Sequence, residues 1–250
     1  MIPIPTPSPT VLPTVIDTVQ PTTGLVGAAR LLGQVASADG TTQVLSTANT
    51  PTDFSFGTGD FGFAFWCYWR EFKDVKFPAP FGLGDTGSAE YCLRSISAGG
   101  TARFVCGGTA YYIDITGNSL NTWTHYVITR ISGQLYAYRD ETAMTPKANT
   151  RSVSSSKAFQ LFCADSNGSH YLDGMLDAFR VWKGSGITAE QVSTLVNGGN
   201  GLTHAELPAD LLTNLKASWD FDTSTGNLVD GTGVHTLTNT NGVAFPDLAA

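Results

Sequence analysis

Charge is scarce in this 250-residue chain: Asp, Glu, Lys and Arg make up 14% of it, against roughly 25% in soluble domains. What charge there is leans acidic, 14 basic against 21 acidic side chains for a formal net charge of −7, which excludes a nucleic-acid binder working through a basic face. Long apolar runs are also missing. The stretch Phe61 to Trp69 is interrupted by Gly62 and falls far short of the roughly 20 residues of a membrane-spanning helix. Met1-Ile-Pro-Ile-Pro-Thr-Pro-Ser-Pro9 has neither a basic leader nor a continuous apolar segment, so no conventional secretion signal is expected. No Gly-x-Ser-x-Gly, His-Glu-x-x-His or Gly-rich phosphate loop occurs. The four histidines, His125, His170, His204 and His235, are scattered. Only four cysteines are present, Cys67, Cys92, Cys106 and Cys163; Cys92 and Cys106 are candidates to bridge, but without a secretion signal reduced thiols are expected.

In place of charge the chain carries Ser, Thr, Asn and Gly, with a hydrophobic fraction of 42% that suffices for one large core or two small ones. Six of its twelve prolines fall in the first 21 residues, which predicts an extended Pro/Thr-rich arm over residues 1–23. From Gly24 onward, short β-type runs alternate with Gly, Asn, Asp and Ser, an all-β pattern. In Asp60–Trp69, alternation puts Phe61, Phe63, Phe65 and Cys67 on one face and Trp66 and Tyr68 on the other. Both faces are then apolar, so this strand is expected to be central with its second face lining something.

Ala98-Gly99-Gly100 predicts a hairpin in which residue 97 opposes 101 and Cys92 opposes Cys106. Ser132-Gly133 predicts a second hairpin between Trp123–Arg130 and Gln134–Asp140, and Asn167-Gly168 a third between Ala158–Asp165 and His170–Leu172. Strands are also expected at Leu176–Trp182, Ala217–Asp222 and from His235. One helix is legible, Thr188–Val196, with capping-box spacing from Thr188 to Gln191 and a stop at Asn197-Gly198. Pro208 opens a short second turn. The fold class predicted is all-β, a two-sheet antiparallel jelly-roll sandwich over residues 24–250 with one short exit helix.

Three segments carry a resemblance: Gly59–Trp66, Trp123–Val127 with Gln134–Asp140, and Gly174–Trp182 followed by Ile187–Gly199. Together they resemble the laminin-G-like jelly roll of the concanavalin A-like lectin/glucanase superfamily, of the kind found in phage appendage proteins. Residues 203–216 then read as a connector. Ser218–Val243 resembles the family's opening segment yet follows the closing one. Two explanations lead: circular permutation, with residues 217–243 supplying the opening strand and loop, or strand exchange that completes a neighbouring copy and builds a homo-oligomer; a decayed, loose second repeat ranks below both, because it would expose Trp219, Phe221 and Leu237.

The resemblance implies what to look for. Glycoside hydrolases of this fold set acidic residues at near-alternate positions of one strand. Here Glu71 and Asp74 have the wrong spacing and Asp220 with Asp222 lacks a third partner, so no catalytic residues are assigned. A structural Ca²⁺ would map to Asp177 and Asp230, which could equally cap backbone amides and start a turn. Trp66 and Tyr68, and Tyr136 and Tyr138, could line a glycan-stacking platform, or be covered by the C-terminal segment or by a neighbouring subunit. The expectation is a non-catalytic, lectin-like surface module. It would attach to a larger assembly, a virion shell or tail, through its N-terminal arm, reach the outside by cell lysis and bind glycans there. A purely structural decoration protein is the alternative.

Overall fold

The computed structural model describes residues 33–48, 52–73, 77–84, 90–154, 156–164, 170–222 and 228–248. The arm expected over residues 1–23 and the turn expected at Asn167-Gly168 lie outside the described residues. The chain opens with β1 (Ala36–Asp39), β2 (Val44–Ser46), β3 (Phe61–Trp69) and β4 (Phe81–Leu83). It continues with β5 (Tyr91–Ser97), β6 (Thr101–Cys106) and β7 (Tyr112–Ile115), then the hairpin of β8 (Trp123–Ile131) and β9 (Gln134–Arg139). The short β10 (Thr142–Ala143), β11 (Lys147–Ala148) and β12 (Phe159–Leu161) lead to β13 (Asp173–Lys183). After α1 (Ala189–Val196) and α2 (Ala209–Leu212) come β14 (Leu215–Trp219), β15 (Leu228–Val229) and β16 (Thr236–Thr240).

These strands form two antiparallel eight-stranded sheets packed as a sandwich. The first runs β1-β13-β3-β8-β9-β10, with β14 also on β13 and β11 also on β9; the second runs β15-β16-β2-β12-β4-β5-β6-β7. As its two apolar faces predicted, β3 is interior, flanked by β13 and β8. Phe61, Phe63, Phe65, Cys67 and Trp69 enter the core between the sheets. There Phe63, Phe81, Phe159 and Phe179 pack ring to ring, at centroid separations of 4.7 Å (Phe63–Phe81), 5.2 Å (Phe81–Phe179) and 5.8 Å (Phe159–Phe179). Each such side chain contributes about 1.5–3 kcal/mol by leaving water.

The outer face of β3 around Ala64 is covered by the exit helix. Ala64, Val127 and Trp182 form a second apolar layer with Ile187, Val192, Leu195 and Val196. Gly62 allows this docking, because a Cβ there would lie 2.7 Å from the Ile187 side chain. The helix starts and stops where the sequence says: Thr188 caps Gln191 in a reciprocal capping box, and Asn197 ends it in the left-handed region at φ 49°. Ser132 (φ 49°) and Gly133 (φ 79°) make the tight turn between β8 and β9.

Two hairpin expectations need correction. In β5–β6, Ser97 faces Thr101 as predicted, but the register shifts between Ser95 and Ser97, so Tyr91 and not Cys92 faces Cys106. One inserted residue moves every side chain beyond it by one step. Cys106 therefore joins the central core while Cys92 packs outside with Ala79, Val105 and Ala164, on the opposite face of the sheet. Among the described residues the third hairpin shows one backbone bond, the Leu172 N–H to the Phe162 carbonyl at 2.9 Å, and no strand ladder: β12 pairs with β2 and β4, while Tyr171 bridges to Ala79. Two neighbours already satisfy both edges of β12.

Residues 215–222 and 228–247 contribute to both sheets. β14 pairs with β13, β16 with β2, and Ala244 and Asp247 bridge to Ser37 and Gln34 beside β1. Trp219 from β14 sits in the core, stacked at 6.3 Å on Phe54 and 6.4 Å on Phe159.

Candidate functional site

The register places all four aromatic candidates on the outer face of the first sheet. Trp66 pairs with His125 and Tyr68 with Trp123 across β3–β8, while Tyr138 pairs with Val127 and Tyr136 with Thr129 across β8–β9. They do not form one platform. Trp66 is only 4% exposed, enclosed with Val35, Trp123, Met175 and Ala178, and its ring lies 5.0 Å from that of His125. A ring so enclosed has no free face to offer a sugar. Tyr138 packs against the helix layer. Burial raises the pKa of its phenol, and the neighbouring Tyr136 adds to the rise. Tyr68, 5.6 Å from Trp123, and Tyr136 keep part of their surface in water.

His125 is fully buried, donates its backbone N–H to Asp140 at 2.8 Å, and leaves its Nδ1 without a hydrogen-bond partner. Burial, then the charge of Arg180, pushes its pKa down to about 3, so the ring is neutral at ordinary pH. Arg180 is itself committed: it donates to the carbonyls of Ala178 and Leu202 and to Asp220 at 2.8 Å. The other Asp220 oxygen accepts the backbone N–H of His204 at 2.7 Å. Asp220 is thus a structural clasp.

Asp177 lies on β13 opposite Trp66 and accepts the N–H of Ala178 at 2.7 Å. Asp230 is buried in the turn between β15 and β16. Its Oδ1 accepts from the Thr232 N–H and hydroxyl, both at 2.5 Å, and its Oδ2 from the His235 N–H at 2.8 Å. These three bonds are the ones a turn-starting aspartate makes, so Asp230 as placed closes the turn between β15 and β16. Among the described residues no group of three or more His, Cys, Asp or Glu is placed to hold a metal.

The outer face of the second sheet is different in kind. Leu45 and Leu161 point into the core, so their neighbours Ser46 and Gln160, which pair in register, point outward. With Thr47, Gly84, Ser156, Lys157 and Ala158 they line a depression of about 480 Å³, within the 300–1,000 Å³ range of ligand pockets. The Thr47 hydroxyl accepts the Phe159 N–H at 3.0 Å and fixes the floor. At the rim Glu90 folds over Gly84, where a Cβ would meet its Cγ at 2.5 Å, and its buried Oε2 has no hydrogen-bond partner among the described residues. Side chains bearing hydroxyl, amide and ammonium groups, those of Ser46, Thr47, Ser156, Gln160 and Lys157, therefore line one cavity. Beyond it, the Ala164 backbone crosses directly over Gly82, where a Cβ would lie 2.6 Å from the Ala164 carbonyl oxygen. None of these residues stood out in the sequence, because Ser, Thr and Gln in a low-charge chain give no local signal; only the pairing of β2, β12 and β4 gathers them.

A helix-backed antiparallel jelly roll with one open polar face is the architecture of a lectin-type sandwich. The chain belongs to the Concanavalin A-like lectin/glucanases superfamily: the Laminin_G_3 family matches residues 39–193. A Bacteroides ovatus protein assigned provisionally as carbohydrate binding has a similar structure, with a TM-score of 0.65 at 17% identity. The alignment covers 88% of this chain and 61% of that one, so the chain spans about three fifths of that relative's length. The native heptameric SAP-like pentraxin of Limulus polyphemus is similar at a TM-score of 0.53 and 15% identity, over 70% of this chain and 86% of the other. No curated protein matches the sequence. At these identities the likeness is one of fold.

Proposed function

We propose that this chain is a non-catalytic, lectin-like surface module that binds glycans in the depression on its second sheet. The observation that carries the reading is the polar cavity of about 480 Å³ floored by Ser46 and Gln160. Sugars present hydroxyls that both donate and accept, and this cavity offers both roles. Membership of a superfamily that includes lectins, and a fold shared with a protein provisionally assigned to carbohydrate binding, support it. The absence of catalysis is part of the proposal: Asp220 is bonded to Arg180 and His204, and Glu71 lies 2.5 Å from Lys73. We further propose display on a virion or comparable particle, with the Pro/Thr arm as the tether; its support is the composition of residues 1–23.

A glycan array with the full chain tests the first part. Binding that falls about 10-fold or more in Gln160→Ala and Ser46→Ala, with each variant's melting temperature held, is expected from loss of one or two buried hydrogen bonds. Binding unaffected by either change, or lost only on changing Tyr68 and Tyr136, overturns the assignment to this cavity. For the tether, deleting residues 1–23 should abolish particle attachment. Attachment that persists refutes the arm, and attachment without any glycan binding leaves the structural-decoration reading.

A further inference from the structure

The register shift that separates Cys92 from Cys106 has a second effect. An unbroken ladder from Ser97–Thr101 would set Arg94 opposite Phe104; with the shift, Arg94 faces Arg103, and Arg103 in turn faces Asp114 on β7. The second sheet thus carries a row of cation, cation and anion on its outward side. Like charges directly opposed across a ladder are unfavourable, so this row needs another anion.

The two arginines are not equivalent. Arg103 is paired in fork geometry, its Nε 2.7 Å from Asp114 Oδ1 and its Nη2 2.9 Å from Oδ2, with the guanidinium 3.5 Å above the Tyr112 ring. Arg94 has no carboxylate among the described residues. Its guanidinium rests 4.8 Å above Phe77, whose ring stacks on His170 at 6.0 Å and 9°, and its Nε is buried without a hydrogen-bond partner. The aromatic support fixes the guanidinium plane, and Arg94 and Arg103 both keep partial exposure to solvent. A planar, held, unpaired guanidinium beside a second one is the donor set that a carboxylate or sulfate ester accepts two-pronged.

We propose that Arg94 and Arg103 form an anion subsite, and that the glycan bound on this face is acidic, carrying carboxylate or sulfate groups. The subsite stands on the arginine row; only the polysaccharide carrier rests on the glycan reading above. The chain's net charge of −7 repels acidic polymers overall, so binding through this row has to be local.

The test measures retardation of the full chain in gels containing dextran sulfate, polygalacturonate or neutral dextran. The variants are Arg94→Gln, Arg94→Lys and, as a control of equal charge change on the exposed β11 edge, Lys147→Gln. Expected are affinity for at least one acidic polymer, a loss of about 10-fold or more in R94Q, a smaller loss in R94K and none in K147Q. Equal losses in R94Q and K147Q indicate diffuse attraction and overturn the subsite, as does failure to bind either acidic polymer. Binding to a neutral glycan that needs Gln160 and ignores Arg94 overturns the acidic ligand while leaving the glycan reading standing. Acidic-polymer binding that needs Arg94 and ignores Gln160 and Ser46 keeps the subsite and refutes the cavity.

Discussion

Trp219 offers the sharpest test of whether residues 215–247 complete the sandwich of their own chain. It is 2% exposed, stacks on Phe54 and Phe159, and tilts against Phe179 at 6.5 Å. Trp219→Ala removes this ring from a close-packed aromatic core and should cost about 3–5 kcal/mol. At about 2–4 °C per kcal/mol for a domain of this size, the melting temperature falls by about 6–20 °C. Trp219→Phe should behave differently. The indole Nε1 is buried with no hydrogen-bond partner, and such a donor carries a penalty of about 1–3 kcal/mol. Phe removes that penalty while giving up part of the ring, so the net change should stay within about 1 kcal/mol. Urea unfolding of the two variants, run at several protein concentrations, reads both numbers. A Trp219→Ala cost under 1 kcal/mol would refute docking of this segment. Equal costs for Phe and Ala would refute the unpartnered indole, and strong concentration dependence would indicate exchange between copies.

His125 gives the pH dependence a defined sign. The unfolded ring takes up a proton below about pH 6.5, the folded one only near pH 3. The unfolded chain therefore binds more protons in that window, and stability is full above it and falls as pH drops. His125→Phe should flatten the slope by about 1.4 kcal/mol per pH unit between these limits; urea midpoints from pH 4 to 7 that change in parallel in both proteins would sink this account. For Asp230, chelator or millimolar Ca²⁺ should leave the melting temperature unchanged, whereas Asp230→Ala, which removes three hydrogen bonds to a buried carboxylate, should cost about 2–4 kcal/mol. A Ca²⁺-induced rise of several degrees would reverse that assignment.

The legibility of the fold in the sequence was uneven for physical reasons. β3, β8 and β9 could be read because alternation and a Ser-Gly turn are local signals, and α1 because its capping box and αL stop lie within a dozen residues. The shift in β5–β6 has no such signature: Ser95, Ile96 and Ser97 continue an ordinary strand pattern, and the extra residue shows only once Arg103 is found opposite Arg94. The short strands β2 and β4, three residues each, fall below any periodicity test, and β12, which lies within the strand expected at Ala158–Asp165, takes these two as partners; β2 and β12 floor the candidate site and β4 leads into it at Gly84. Trp66 illustrates the opposite error. An aromatic on the second face of a strand reads as a binding ring, but here it meets His125 and Met175 in an outer layer that a single sequence window does not reveal.

The order in which the ribosome delivers the strands has its own consequence. Phe159 and β2 leave the exit tunnel well before Trp219, which stacks on Phe159, and β16, which pairs with β2. A nascent chain must therefore hold an incomplete aromatic interior, with the free edges of β2 and β13 exposed, until the segment from Leu215 onward emerges. That interval is when this protein is most open to aggregation and to chaperone capture.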